Sequence, residues 1–247
     1  MLLRRWMGGM RHWPLHPQWL IATSDEDGDL EQALRQLDGY VIDIGCAGRR
    51  LAGLVPGTCK YVGVDYPDTA LHLYETRPDV FADACALPFA SGSIDAVILK
   101  DVLEHVRGPQ QALTEIARVL RDGGRLVLWM PFLYPIHDAP HDFQRFTEHG
   151  LRAYLGQHGL MVGELKPVLA PVETAALMLC LAFADAGEQI LARRRRYLPL
   201  LPVLALLVLL TNLSAKALCW LPHTRFMPAF YRVLAVRGVA AVGGAGT

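Results

Sequence analysis

The stretch Tyr40-Val41-Ile42-Asp43-Ile44-Gly45-Cys46-Ala47-Gly48 decides the fold of this chain. Its first five residues are all β-branched or aromatic except Asp43, which is typical of a strand buried on both faces of a parallel sheet. The stretch ends in Gly-x-x-Gly, where a chain can turn sharply and a ligand can approach the backbone without meeting a Cβ. A carboxylate at the end of a buried strand, followed by glycines, suggests a site for a ligand that carries an ammonium group. Taken alone, an ordinary strand and turn explains the stretch equally well.

Strands and helices alternate along the chain on either side of this stretch. Periodicity predicts strands over 40–44, 60–65, 80–83, 94–100, 125–130, 159–169 and 230–237. Helical segments are predicted over 30–37, 49–55, 68–76, 101–106, 110–120 and 148–156, the last with Thr147 as its N-cap. This alternation predicts an α/β fold with a doubly wound, mostly parallel seven-stranded sheet and right-handed crossovers.

Composition limits the classes of function and the compartment. The chain has 247 residues and a formal net charge of zero, which gives no electrostatic case for nucleic-acid binding. Its five cysteines are scattered and never paired as C-x-x-C, which argues against a disulfide scaffold or a zinc ribbon and favours a reducing, cytoplasmic setting. Residues 1–38 are expected to form an N-terminal arm and a helix, and the first twenty lack the apolar core of a secretory signal.

Acidic residues stand at the carboxyl ends of three predicted strands. In open α/β sheets, ligands bind beyond this edge. Asp65 can accept both hydroxyls of a ribose, Asp83 can accept from an exocyclic amine, and Asp43 can orient an ammonium group. The set therefore predicts a nucleoside ligand. Ala47 and Arg50 occupy positions where a dinucleotide fingerprint needs glycine, so the ligand is expected to carry no phosphate, and a nicotinamide dehydrogenase is disfavoured.

Four stretches together resemble the class I S-adenosylmethionine-dependent methyltransferases, specifically the type 11 group. They are VIDIGCAG, YVGVDY, DACALPFASGSIDAVILKDVLEHV and EIARVLRDGGRLVLWMPF, and the resemblance covers roughly residues 40–169 together with the last strand. It implies S-adenosylmethionine as the cofactor, with Asp65 as the ribose acid and Lys100 at the methionine end. The further contacts that it implies are Asp43, Gly45, Cys46 and Gly48 in the glycine loop, Tyr66 beside Asp65, and Asp83 with Ala84 at the adenine.

The segment after the fifth strand carries the candidate catalytic residues. Residues 131–147 are similar to a stretch found in a methyltransferase subgroup associated with glycan or lipid-linked substrates. His137 and His141 are candidate general bases, because imidazole titrates near the working pH and a hydroxyl must lose its proton to become a good nucleophile. Their i, i+4 spacing also suits a metal, but the prolines between and before them argue against a helix, and no metal is predicted. If Asp142 and Arg145 pair to hold the loop, His137 is the remaining base.

Glu104 and His105 follow the fourth strand on a predicted helix. We interpret them as a pair that orients neighbouring loops, in preference to a direct catalytic role.

Residues 171–222 form a predicted apolar helical insertion before the last strand, while 39–170 and 228–240 form the methyltransferase domain. Leu198 to Leu210 is thirteen residues long, short of the ~20 that a spanning helix needs. Arg193 to Arg196 would meet anionic headgroups, with Tyr197 and Trp220 at the interface. Monotopic association with the inner face of the membrane is therefore expected. The alternative is that the insertion forms an apolar lid over the substrate or a dimer interface in a soluble protein.

These features together predict a methyltransferase that acts on oxygen of a small-molecule, glycan or lipid-linked acceptor near the membrane. The alternative is a non-catalytic methyltransferase-like protein that binds a nucleoside or partner and is anchored through the insertion. The intact set of acids at the strand ends favours the enzyme, since a site that has lost its activity need not keep them.

Overall fold

The buried stretch at Tyr40–Ile44 is the central strand β1 of a seven-stranded sheet. In the computed structural model, which describes residues 11–24 and 26–238, the strands lie in the order β3-β2-β1-β4-β5-β7-β6. The strands are β1 (Tyr40–Ile44), β2 (Lys60–Asp65), β3 (Val80–Phe81), β4 (Ile94–Lys100), β5 (Leu120–Pro131), β6 (Leu160–Val168) and β7 (Phe230–Arg237). The pairs β1–β2, β1–β4, β2–β3 and β4–β5 are parallel, so the predicted fold class is confirmed.

The helices are α1 (Trp19–Ala22), α2 (Glu26–Arg35), α3 (Pro109–Val119), α4 (Glu148–Gln157), α5 (Pro171–Arg193) and α6 (Leu201–Leu218). Helices α2, α3 and α4 pack against the sheet, because alternate side chains of its central strands point to opposite faces. On one face, Val41 and Ile98 pack against Leu30 and Leu34 of α2. On the other face, the larger core buries side chains of the sheet together with those of α3 and α4: Ile42, Val97, Leu99, Leu126, Leu113, Ile116, Leu151 and Leu155.

Four local predictions were wrong, each for a backbone reason. The segment 49–55 forms turns instead of a helix, because Ala47 and Arg49 adopt left-handed φ values of 41° and 57°. After β4, only a 3-10 turn over Leu103–His105 forms, since Asp101 also has a positive φ of 54°. Strand β3 ends at Phe81, short of the predicted residue 83, whereas the helical turn expected within 68–76 does form, as a π-helical turn over Thr69–Leu73. Strand β5 begins at Leu120 and absorbs the expected turn at 122–124 as an irregularity in its pairing with β4.

The chain divides into two compact units. The sheet unit comprises residues 30–132, 136–166 and those from Tyr231 onward. The hairpin unit comprises 133–135, 167–230 and the described part of the N-terminal arm up to Asp29.

Helices α5 and α6 of the hairpin unit are joined by a 3-10 segment over Arg195–Leu200. The buried side chain of Asn212 in α6 fixes the packing inside the unit. Its amide donates to the carbonyl oxygens of Pro14 and His16 at 2.7 and 3.0 Å, and its carbonyl accepts from the Cys180 thiol at 3.4 Å.

Candidate functional site

The loop after β1 is held open by hydrogen bonds to the end of β2. Asp65, which is buried, accepts the amide of Ala47 at 2.7 Å through one carboxylate oxygen and the amide of Tyr66 at 2.8 Å through the other. The amide of Gly45 donates to the carbonyl of Val64 at 2.8 Å. The turn at residues 45–48 is therefore anchored to the carboxyl end of the neighbouring strand.

The two glycines of the loop have different roles. Gly45 has φ +75°, and a Cβ there would lie 2.2 Å from Cγ2 of Val102, so only glycine fits. At Gly48, the nearest atom to an added Cβ would be the Thr76 methyl at 4.0 Å. The backbone at Gly48 is thus open to a ligand, as a cofactor cradle requires.

Asp43 is buried at the end of β1 and accepts a hydrogen bond from the Tyr61 hydroxyl at 2.6 Å. Burial raises the pKa of Asp43 to about 7, against the opposing effect of that hydrogen bond, and the neighbouring Asp65 carboxylate raises it further. Part of the hydrogen-bonding capacity of Asp43 is therefore already used by Tyr61. The other oxygen remains the candidate partner of a cofactor ammonium group.

The remaining predicted cofactor residues border the same edge. Cys46 is buried, and burial raises the pKa of its thiol to about 12, which keeps it a thiol. Tyr66 is about half exposed. Asp83 lies beyond the end of β3 and accepts the amide of Cys85 at 2.8 Å, and Ala84 is buried in the core. The ammonium of Lys100 lies 2.7 Å from the Asp101 carboxylate.

A second group of titratable side chains meets beyond β4 and β5. Glu104, His105 and His137 each offer one ligand atom, and these atoms lie within 4.8 Å of one another. We call these three residues the carboxylate–histidine cluster. Nε2 of His105 and Nε2 of His137 each lie 3.7 Å from Oε1 of Glu104. The two imidazole rings meet edge to face with centroids 4.8 Å apart.

Each imidazole of the cluster is oriented from outside it. Nδ1 of His105 lies 2.8 Å from the carbonyl oxygen of His141, and Nδ1 of His137 lies 3.3 Å from the Asp142 carboxylate. Arg145 donates in turn to Asp142 at 2.8 Å, so the alternative in which these two residues pair to hold the loop is the one observed, and that guanidinium lowers the pKa of Asp142 to about 2.

The structure separates the two predicted bases. His137 belongs to the cluster, whereas the described contact of the His141 ring is with Phe143, at a centroid distance of 6.4 Å. Glu104 is the residue that the sequence interpretation undervalued: its side chain is fully buried, and burial raises its pKa. No local signal in the sequence marks this burial, because only the parallel pairing of β4 with β5 brings the segments that follow them to the same edge of the sheet.

Comparisons with known proteins identify the family. The methyltransferase domain family matches residues 42–128. The O-methyltransferase rstn1 of Aspergillus nomiae is 36% identical over 171 residues, which cover 60% of this chain and 76% of that protein. The chain belongs to the class I S-adenosylmethionine-dependent methyltransferases. The predicted family is thereby confirmed, and with it S-adenosylmethionine as the cofactor.

Other relatives of this methyltransferase match more narrowly. An uncharacterized methyltransferase of Mycobacterium tuberculosis is 36% identical over 102 residues, 39% of this chain and 37% of that protein. An uncharacterized protein encoded in a transposon of Streptomyces fradiae is 38% identical over 36% of this chain and 29% of its own length. The chain therefore spans about a third of the length of these two curated relatives.

Solved structures share the fold at low sequence identity. A putative methyltransferase from Haloferax volcanii, solved with the Trm112 activator, has a TM-score of 0.53 at 17% identity, covering 92% of this chain and 95% of that one. The [4+2]-cyclase SpnF has a TM-score of 0.53 at 18% identity, covering 87% of this chain and 81% of that one. These likenesses support the fold alone.

The buried carboxylate of Asp43 generates a prediction about stability and pH. The ordinary pKa of 3.8 applies in the unfolded chain and about 7 in the folded one, so between these pH values only the unfolded chain releases the proton. The free energy of unfolding therefore falls as pH rises through this window, by roughly 4 kcal/mol in total. Asp43→Asn should remove that fall, as measured by urea unfolding of both proteins at a series of pH values. Parallel curves for the two proteins would contradict the burial of a titrating carboxyl group.

Proposed function

We propose that this protein transfers the methyl group of S-adenosylmethionine to an oxygen atom of a small-molecule acceptor, and that the acceptor is glycan or lipid-linked and reached at a membrane surface. The observation that carries the proposal is the meeting of a glycine loop, strand-end acids and the carboxylate–histidine cluster at the carboxyl edge of one sheet. Asp43, Asp65 and Asp83 with the open backbone at Gly48 would hold the cofactor. When bound, S-adenosylmethionine supplies an activated methyl group.

The cluster favours an oxygen acceptor over a nitrogen one. A hydroxyl is a weak nucleophile until it loses its proton, whereas a neutral amine already carries a free electron pair. The chain Asp142–His137–Glu104 places an oriented imidazole between two carboxylates, an arrangement suited to promoting loss of a proton. The relative from Aspergillus nomiae, which is called an O-methyltransferase, supports the same choice.

A non-catalytic role remains the second candidate function. The [4+2]-cyclase among the structural neighbours illustrates that this fold alone does not set the reaction. The buried Glu104 favours the enzyme, because a carboxyl group buried without a hydrogen bond is costly to keep unless it has a function.

The cofactor proposal predicts the effect of a single substitution. Asp65→Ala removes an acceptor for the ribose hydroxyls and the hydrogen bond that holds Ala47, so affinity for S-adenosylmethionine should fall by roughly 100-fold or more, measured by calorimetric titration. The control Asp68→Ala removes an exposed acid whose described partner is His72, and its affinity should match that of the wild type. Unchanged binding by Asp65→Ala, or no binding by the wild type, would refute this placement of the cofactor.

The catalytic proposal predicts different outcomes for the two histidines. His137→Gln should lower the rate of S-adenosylhomocysteine formation by about 10²–10⁴-fold at unchanged cofactor affinity, assayed with lipid extracts and a panel of hydroxyl acceptors. His141→Gln should have a far smaller effect, because its ring lies outside the cluster. If the wild type binds S-adenosylmethionine but forms no S-adenosylhomocysteine with any acceptor, the result would support the non-catalytic alternative.

The hairpin unit supports the membrane part of the proposal. Helix Pro171–Arg193 and the segment Arg195–Leu218 are long and apolar enough to cross a membrane, with mean hydropathies of 1.5 and 2.1, yet few of their residues are buried. On α6, one stripe is buried at Val208, Asn212 and Ala215. The outward stripe is exposed by about half at Val203, Leu206, Leu210 and Leu213.

We infer that the hairpin lies in the plane of the interface. All four residues of Arg193–Arg196 are exposed where α5 ends, and a fully inserted hairpin would have to carry them through the hydrocarbon. An in-plane hairpin instead immerses the outward leucines of α6 and leaves the arginines at the headgroups. Tyr197 and Trp220, both exposed, suit the same depth.

Two variants test the membrane surface in vesicle sedimentation. Replacing Arg193–Arg196 with glutamine should abolish the preference for anionic over zwitterionic vesicles, a loss of roughly 1 kcal/mol per arginine at low salt. Leu206→Gln with Leu210→Gln should weaken binding to both kinds of vesicle, because these side chains would enter the acyl region. An Arg35→Gln, Arg152→Gln control removes exposed arginines of the sheet unit and should leave binding intact. Full vesicle binding by both test variants would exclude this surface.

A further inference from the structure

Glu104 of the carboxylate–histidine cluster lies in an unfavourable electrostatic environment. The side chain of Glu104 is fully buried, and neither of its oxygens has a hydrogen-bond partner among the described residues. A buried carboxylate in this condition is strongly unfavourable unless a positive charge lies beside it. The two nearest groups are the imidazoles of His105 and His137, both at 3.7 Å.

The orientation of the two imidazoles makes the electrostatic environment of Glu104 less favourable still. A neutral imidazole carries one N–H, and the other nitrogen presents a lone pair. In His105 the N–H is required at Nδ1 by the carbonyl of His141, and in His137 it is favoured at Nδ1 by the Asp142 carboxylate. Both Nε2 lone pairs then point toward the carboxylate of Glu104. Three electron-pair donors then face one another, and either a proton or a metal cation between them would stabilise the arrangement.

We propose that the carboxylate–histidine cluster binds a divalent transition-metal cation through Nε2 of His105, Nε2 of His137 and a carboxylate oxygen of Glu104. Two imidazoles with one carboxylate suit zinc or a similar cation and do not suit magnesium, which prefers oxygen ligands. Histidine ligands of metals commonly donate their second N–H to a carboxylate or a backbone carbonyl. Both kinds of partner are present here, as Asp142 and the carbonyl of His141.

The distances are compatible with a bound ion after the side chains move inward. Zinc lies ~2.0–2.2 Å from nitrogen and oxygen ligands, so two ligands of a tetrahedral ion are about 3.4 Å apart. The His–Glu separations of 3.7 Å are close to this value, and the widest pair, within 4.8 Å, would move in by up to about 1.4 Å. Three protein ligands leave a position open, as in catalytic zinc sites.

A use for the ion rests on the proposed function. With the ion bound, His137 would serve as a ligand and not as the general base, and a hydroxyl coordinated at the open position would lose its proton to water more readily, which is the step that oxygen methylation needs. Metal binding itself is inferred from the cluster alone and is tested without any acceptor.

The test titrates the full chain, without a histidine tag, after removal of metals with a chelator. Calorimetry with zinc chloride should show a single tight site, and magnesium chloride should show none. Glu104→Gln and His105→Gln should each weaken zinc binding by roughly 100-fold or more, and Asp142→Asn, which keeps all three ligands, by about 10–100-fold. His72→Gln, which removes an exposed histidine paired with Asp68, should bind as the wild type does.

Two further measurements keep the result interpretable. Zinc should raise the melting temperature of the wild type and not that of Glu104→Gln, while metal-free Glu104→Gln should melt at or above the wild type because it loses a carboxyl group that is buried without a hydrogen bond. Equal zinc affinity in the wild type and Glu104→Gln would overturn the proposal. Failure of the wild type to bind zinc, with S-adenosylmethionine binding intact in the same preparation, would also overturn it and leave the methyltransferase assignment standing.

Discussion

The hydrogen bond from the amide of Ala47 to the carboxylate of Asp65 is the constraint on which the cofactor site depends. It joins the loop after β1 to the end of β2, the neighbouring strand, and so converts two strand ends into one binding edge. Ala47 and Arg49 adopt left-handed backbone conformations that cost non-glycine residues about 1–3 kcal/mol each. A buried, charge-assisted hydrogen bond of 2.7 Å is strong enough to offset much of that strain at Ala47. Alanine is therefore tolerated at 47 for a conformational reason, supplied by a residue eighteen positions away.

The sheet could be predicted from the sequence because its signals are local. Mostly apolar runs located β1, β2, β4 and β7 to the residue, and acids near the ends of β1 and β2 marked the candidate binding edge. The two helix errors share one origin, since they fall where positive φ values at 47, 49 and 101 stop helices that periodicity alone would continue. Backbone conformation of this kind is set by long-range hydrogen bonds, which no sequence window contains.

The cluster was harder to predict for the same reason. Glu104 and His137 are 33 positions apart, and only the parallel pairing of β4 with β5 brings the segments that follow them together. The sequence marked His137 and the Asp142–Arg145 pair, because their residue types announce acid–base chemistry. It could not show that His141 contacts His105 through its backbone carbonyl, because every residue has one. Nor could it show that Glu104 is buried without a hydrogen bond.

Two buried carboxylates at one sheet edge are therefore stabilised in opposite ways. Asp43 receives a hydroxyl donor from Tyr61 and, with a pKa near 7, can rest as the neutral acid until a cation arrives. Glu104 faces two imidazoles whose Nδ1 atoms are already engaged, so a proton on Glu104 alone would satisfy at most one of the two lone pairs that point at it. The environment of Asp43 suits a ligand that carries an ammonium group. The environment of Glu104 suits a cation that stays bound between catalytic cycles. In the proposed function, cofactor recognition and acceptor activation would thus depend on two different ways of burying an acid beneath the carboxyl edge of a parallel sheet.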